Sequence, residues 1–427
     1  MTTDPIRIAR RQRHAQTAYG FQRPRTRPDT GFETIPADAH TIVLGPTGAG
    51  KTTGALIPRL LTYPGPAIVN DPKGELFATT ANARRRMGQT VYVVDPFGCT
   101  EADPIGLNPL SPLAALDDPD HGCIQIADRL FPDNGERDPF WRDMAAHLTA
   151  GIIRYVVERE KATGTPATLA DVQDILGDGD PVYRLSQLLN LAKDWLDNAL
   201  AERIGSVLSI TDVTRSGIFS TALRGVRLFR SREIREAVSR TGLSLDDLVA
   251  GAPVTLYFCL RPSDLRTYGP VVRLWFDMLL DLLCERDTIH QLPTLFALDE
   301  AAALGRMPQV ETAFSIGRGY GISLLTVFQT VHQARATYGP AHRVLFDNAG
   351  AVMAFPPANH ASARDVAGLL GGVTAEALLQ LGERELVLGR AGEVGRIVER
   401  YDVRFDPELQ ALADPNPRHD RPSAPHA

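Results

Sequence analysis

Apolar and polar positions along this chain fall into two textures. Between residues 41 and 107, and again between 252 and 405, short β-branched and apolar runs end in glycine, proline or acidic turns. Thr41–Leu44 runs into Gly45, Ala67–Val69 into Asn70-Asp71-Pro72, and Val91–Val94 into Asp95-Pro96-Phe97. Val254–Leu260, Thr294–Leu298, Ile322–Phe328 and Ala349–Phe355 repeat the pattern, with helix-compatible stretches between them. Runs that are apolar throughout suit strands covered on both faces, so the spacing predicts βαβ units around a mostly parallel sheet. Helices are expected from Lys51 (shortened or kinked by Gly54 and Pro58), over Leu265–Cys284 with an indentation at Pro270, and over Ala361–Leu370. Glu385–Leu388 and Arg396–Arg404 read as a terminal hairpin.

The second texture fills residues 108–251. Apolar positions in Phe140–Val157, Thr168–Leu176, Tyr183–Leu200 and Ile204–Leu223 recur mostly at three- and four-residue intervals, as amphipathic helices require, with no strand between them. The expected organisation is therefore an all-helical domain, 108–251, inserted into a discontinuous α/β domain of 41–107 and 252–405. Long insertions are tolerated where both ends of a surface loop lie close. Residues 1–40, with seven arginines by position 27, read as a flexible arm, and the Pro- and charge-rich 414–427 as a disordered tail.

Composition narrows the class. With 427 residues, 44% hydrophobic and 22% charged, the chain is globular and neither disordered nor fibrous. A net charge of −6 excludes a uniformly basic body but leaves room for a local channel for nucleic acid. No apolar run approaches the roughly 18 residues of a membrane helix, so the chain is expected to be soluble and cytoplasmic. Four scattered cysteines without a C-x-x-C pair fit a reducing compartment, and scattered histidines offer no metal cluster.

One segment carries explicit chemistry. Gly45-Pro46-Thr47-Gly48-Ala49-Gly50-Lys51-Thr52, followed by Thr53, has the complete G-x-x-x-x-G-K-[ST] pattern between a predicted strand and helix. Side-chain-free positions let backbone N–H groups wrap a phosphate, Lys51 reaches the β and γ phosphates, and Thr52 holds Mg²⁺. A second component is expected on a neighbouring strand: Leu295–Leu298 ends in Asp299, suited to hold magnesium through water, and Glu300, suited to polarise an attacking water.

Other residues carry weaker signals. Gln329 closes Ile322–Phe328, where an amide either senses a γ-phosphate or simply ends the strand. Arg318, between Gly317 and Gly319, is either a surface arginine or a finger acting in trans. Asp71, Lys73, Glu75 and Asp95 lie at strand ends, where open α/β sheets bind ligands, or else form a paired surface network.

Together these motifs resemble the VirD4/TraG-like coupling proteins of conjugative type IV secretion. The resemblance runs from Gly45–Pro58 through Asn70–Leu76, Val91–Phe97, Leu298–Pro308, Ser315–Gly321 and Val327–Thr330, with Tyr338-Gly339 and Asn348 beyond, and covers about Thr41 to Leu370. It implies a RecA-like P-loop NTPase domain bearing an all-helical domain, with ATP and Mg²⁺ as cofactors and hydrolysis at the subunit interfaces of a hexamer. It further implies DNA held by its phosphates without sequence reading, and delivery of relaxase-bound DNA to a secretion channel. It places Arg318 at the family's finger position and Gln329 at its γ-phosphate sensor. Members usually carry N-terminal membrane helices, whereas about 40 polar, arginine-rich residues precede Gly45 here. Docking at the inner membrane is then expected to be peripheral. Coupling of protein cargo, a DNA pump of the FtsK/HerA type and an inactive recruiting scaffold are the alternative readings. Asn70–Leu76 with Ala301–Pro308 favours the coupling family, and intact Lys51, Thr52, Asp299 and Glu300 argue against the scaffold.

Overall fold

The computed structural model describes residues 22–24, 34–133, 135, 137–191, 198–288 and 292–416. These form two compact units, the described residues of 22–103, 246–269 and 279–416 in one and those of 104–245 and 270–278 in the other. The observed boundaries differ from those expected at 108 and 251. Leu107 belongs with the helices because its N–H donates to Ala237 O and its carbonyl accepts from Trp275 Nε1. Leu248 belongs with the sheet unit, where its carbonyl accepts from Arg286 Nη2. The middle of helix Pro262–Cys284 counts with the helical unit, an assignment its amphipathic pattern does not signal.

The α/β unit is built on a ten-stranded sheet. In chain order the strands are β1 (Gln22–Pro24), β2 (Thr41–Leu44), β3 (Ala67–Asn70), β4 (Thr90–Val94), β5 (Val254–Phe258), β6 (Thr294–Leu298), β7 (Ile322–Phe328), β8 (Ala351–Ala354), β9 (Glu385–Arg390) and β10 (Arg396–Arg400). Their spatial order is β1-β10-β9-β8-β2-β7-β6-β3-β5-β4. From β8 to β4 all neighbours are parallel, and the β8–β9–β10–β1 end is antiparallel. Every residue of β2, β3, β5, β6, β7 and β8 is buried, which is why these strands read as unbroken apolar runs. Leu56, Leu60 and Leu61 pack on one face against Val43, Val69, Ala297, Val327 and Met353.

Local chemistry sets the helix ends. Thr330, Asn359 and Thr374 each accept a backbone N–H two to three residues into the helix they cap, and Pro262 and Pro308 sit where a helix needs no donor. The helix after the glycine loop opens as a wide π-helical turn, Thr52–Leu56, continues as Ile57–Thr62, and stops before Pro64.

Two terminal expectations need correction where residues are described. The arm was expected to be free through residue 40, yet Ile35, Ala39 and His40 are buried, and Gln22–Pro24 pairs with β10. The tail was expected to be free from 414, yet the Asp414 N–H donates to Thr79 O at 2.9 Å and Asn416 Nδ2 to Glu75 Oε1 at 2.6 Å. The remainder of both segments lies outside the described residues. No described helix is long and apolar enough to cross a membrane.

In the helical unit, Phe140–Thr163 is the hub, packed against Asp120–Leu130, Leu169–Leu176, Asn198–Leu208 and Asp212–Val226. Its buried face runs from Ala145 to Val157, and Gly164, with φ of 72°, ends it. Thr168 and Asp171 form a reciprocal cap on the next helix. Among the described residues no strand lies between β4 and β5.

Candidate phosphate-binding site

The glycine loop leaves β2 at the carboxyl edge of the sheet and turns into Thr52–Leu56. Gly48 and Gly50 hold φ of 81° and 86°, which side chains resist, and a Cβ on Gly45 would lie 2.8 Å from Phe355 Cβ. Lys51 Nζ donates to Pro46 O at 2.8 Å, folding the lysine over its own loop. Burial lowers the Lys51 pKa, against the opposing pull of Asp299 and Glu300.

The carboxylates arrive from β6. That strand does not border β2, as a neighbouring-strand expectation would have it: β7 lies between, paired in parallel with both. The site still closes, because parallel strands bring all three carboxyl ends to one edge. Lys51, Thr52, Thr53, Lys73, Glu75, Asp299 and Glu300 line one cavity of about 1040 Å³ with Thr47, Gly48 and Gly50. Asn70 Nδ2 donates to Asp299 O at 2.6 Å, tying the ends of β3 and β6 together. Glu300, with φ of 52°, is the only non-glycine among the described residues in the left-handed region.

Electrostatics at this edge favour a cation. Burial, reinforced by the charge of Asp71, pushes the Asp299 carboxyl up to about 7. A buried carboxylate and the Thr52 hydroxyl are hard oxygen donors of the kind Mg²⁺ takes. The donor set therefore fits magnesium bound with a phosphate.

The remaining expected residues separate by position. Lys73 and Glu75 face the cavity. Asp71 is buried and accepts the N–H groups of Glu75 and Phe77 at 3.1 and 2.8 Å, capping helix Glu75–Arg86, and burial raises it to about 6. Asp95 accepts the Cys99 and Thr100 N–H groups at 2.8 and 2.7 Å and holds its own turn. Gln329 and Pro46 line a separate small cavity beside Gly45, and the Gln329 N–H is fixed by Gln333 Oε1 at 2.7 Å. Ala49 lies behind the loop, its carbonyl accepting from Arg400 Nη1 at 2.7 Å. Arg318 lies before β7, at the opposite edge of the sheet, where Nη2 meets Asp38 Oδ2 at 2.6 Å. Seven residues of strand, about 20 Å, separate it from the Gln329 end.

Arg400, Asp402 and Arg404 were not singled out from the sequence. Asp402 Oδ2 accepts from Thr53 Oγ1 at 3.1 Å, and Arg400 Nε and Arg404 Nε reach the Asp402 carboxylate at 3.2 and 3.1 Å. The Arg400 and Asp402 side chains are 1% and 0% exposed, so this is a fully buried pair beneath the phosphate loop. The alternation Arg400-x-Asp402-x-Arg404 was the available signal, since period two places all three on one face of an extended segment.

A glycine loop, lysine, threonine and paired carboxylates at one sheet edge define a P-loop NTPase of the RecA-like α/β class. The chain belongs to the family described as Type IV secretory system Conjugative DNA transfer, whose pattern matches residues 7–379. It is 31% identical over 316 residues to protein VirD4 of Rhizobium radiobacter, covering 72% of this chain and 44% of that protein. It is 26% identical over 404 residues to conjugal transfer protein TraG of Escherichia coli, covering 89% and 62%. The chain thus spans about half the length of the curated relatives it matches. Among solved structures it resembles plasmid coupling protein TrwB in complex with ADP and Mg²⁺, with a TM-score of 0.65 and 16% identity over 86% of this chain and 87% of that one.

Proposed function

We propose that this chain is an ATP-hydrolysing coupling protein that moves relaxase-bound DNA toward a type IV secretion channel. The observation that carries the reading is the convergence of Lys51, Thr52, Asp299 and Glu300 on one cavity, although Asp299 comes 247 positions after Thr52. Lys51 and the loop amides hold the β and γ phosphates, and Thr52 and Asp299 hold Mg²⁺, which neutralises phosphate charge when bound. Glu300 takes a proton from the attacking water and Gln329 senses the γ-phosphate from the adjoining cavity. Arg318 cannot reach its own subunit's site from the far edge of the sheet, which supports its use by a neighbour in a homo-oligomeric ring, a hexamer by the family reading. DNA is gripped through phosphates, and the motor works at the inner membrane.

Mg·ATP hydrolysis measured with and without DNA tests this. Wild type should hydrolyse ATP faster with DNA, Lys51→Ala should lose nucleotide binding, and Glu300→Gln should bind Mg·ATP yet hydrolyse it about a hundredfold or more slowly. Wild-type protein that ignores Mg·ATP in a binding titration would refute the motor.

A further inference from the structure

The helical unit carries a charged feature that the nucleotide site does not use. A groove of about 680 Å³ is lined by Arg224, Arg227, Arg230 and Arg235 together with Ser220 and Asp174. Arg224 lies in the last turn of helix Asp212–Val226, and Arg227 and Arg230 begin and end the 3₁₀ turn that follows it. Side chains three apart in a 3₁₀ turn lie over one another, spaced about 6 Å along the axis. Ala222, Val226 and Phe229 are buried on the other side of the same segment, which fixes the arginine face outward.

Charge balance singles this groove out. Arg235 is neutralised by Asp174, Nη1 to Oδ2 at 2.9 Å, and also donates to Gln173 Oε1 at 2.6 Å. Arg224, Arg227 and Arg230 are exposed, and among the described residues no acidic side chain pairs with any of them. Three like charges on one face repel, in a chain whose net charge is −6 and which could have placed acids among them. Such an arrangement is stabilised by a polyanion with a regular charge repeat.

We propose that this groove binds the phosphodiester backbone of a nucleic acid strand, with Arg224, Arg227 and Arg230 each engaging a phosphate. An acidic polypeptide fits less well. Among the described residues Leu223 is the only large apolar side chain in the lining, and the unit offers no strand edge for a peptide backbone to pair with. Among the described residues the lining also holds no aromatic ring on which bases would stack, so binding is indifferent to sequence. The site deepens the DNA-handling reading above, on a surface distinct from the nucleotide cavity.

The test is fluorescence anisotropy of labelled oligothymidylate on the full chain across a salt series. Comparing wild type with the triple variant Arg224→Ala/Arg227→Ala/Arg230→Ala, the affinity should fall and the log–log salt slope should flatten by about two. Arg→Lys at the same three positions should keep the slope, and thermal midpoints should match wild type, showing that charge rather than folding is read. An unchanged slope in the alanine variant overturns this site while leaving the motor reading intact. Displacement of the oligonucleotide by polyglutamate at equal or lower charge concentration overturns it in favour of an acidic polypeptide. A wild-type chain that binds no oligonucleotide at all overturns both.

Discussion

The two edges of the sheet in the α/β unit treat charge in opposite ways. At the carboxyl edge Asp299 and Asp71 are buried beside Lys51 and Lys73, and burial raises both acids, to about 7 and about 6. At the amino edge Arg318 and Asp38 form a pair whose side chains are 54% and 46% exposed. A buried set of charges must be completed by something inside its own cavity, because water cannot solvate it. An exposed ion pair is already solvated and needs no such completion. One edge holds buried charge that a ligand would complete, and the other holds an ion pair that solvent already satisfies.

The largest expected effect comes from separating the two edges. Arg318→Ala should lower DNA-stimulated ATP turnover about a thousandfold while Mg·ATP still binds. Mixing Arg318→Ala with Lys51→Ala subunits should restore part of the turnover, because each supplies what the other lacks. If mixing restores nothing, the amino edge does not serve a neighbour.

Beneath the phosphate loop, Asp402→Ala should destabilise the fold by about 3–5 kcal/mol, because it strands the buried Arg400 charge. Denaturant unfolding measures this, and a loss below about 1 kcal/mol would show that the pair does not brace Thr53.

His40 offers a comparison in pH. Its Nδ1 accepts the Leu324 N–H at 3.1 Å, and burial, aided by the Arg318 charge, lowers its pKa to about 4 from the model-peptide value of 6.5. The folded state keeps it neutral, so the stability this confers is complete above pH 6.5 and is lost as pH falls toward 4, a change of about 3 kcal/mol. The urea midpoint of wild type relative to that of His40→Gln should fall across that window, a difference that isolates His40 from Asp299 and Asp71, whose raised pKa values act in the opposite direction. The smallest effect belongs to the exposed pair. Asp38→Asn should change stability by less than about 1 kcal/mol, read as a small shift in thermal midpoint.

How much of this was legible in the sequence depends on distance along the chain. The phosphate loop is eight contiguous residues, so its chemistry and its strand–helix setting could be read together. Asp299 and Glu300 were legible because an all-buried strand ends in them, but the intervening β7 was not, since strand order follows from pairing that no local pattern encodes. Arg400, Asp402 and Arg404 read only as hairpin; their partner Thr53 lies 349 residues before Asp402. Asp71 carried the right type of residue at the right rim, yet its oxygens are taken by backbone donors of the helix it caps. The domain boundary slipped for a similar reason: a continuous helix, Pro262–Cys284, contributes to both units, and amphipathicity does not register that division.

The left-handed backbone at Glu300 sets stability against the turnover proposed for it. An L-residue in that conformation costs about 1–2 kcal/mol that glycine would not. Selection for heat resistance alone would therefore drift toward glycine at this position, and under the role proposed for Glu300 the hardier protein would be one that grips its fuel without burning it.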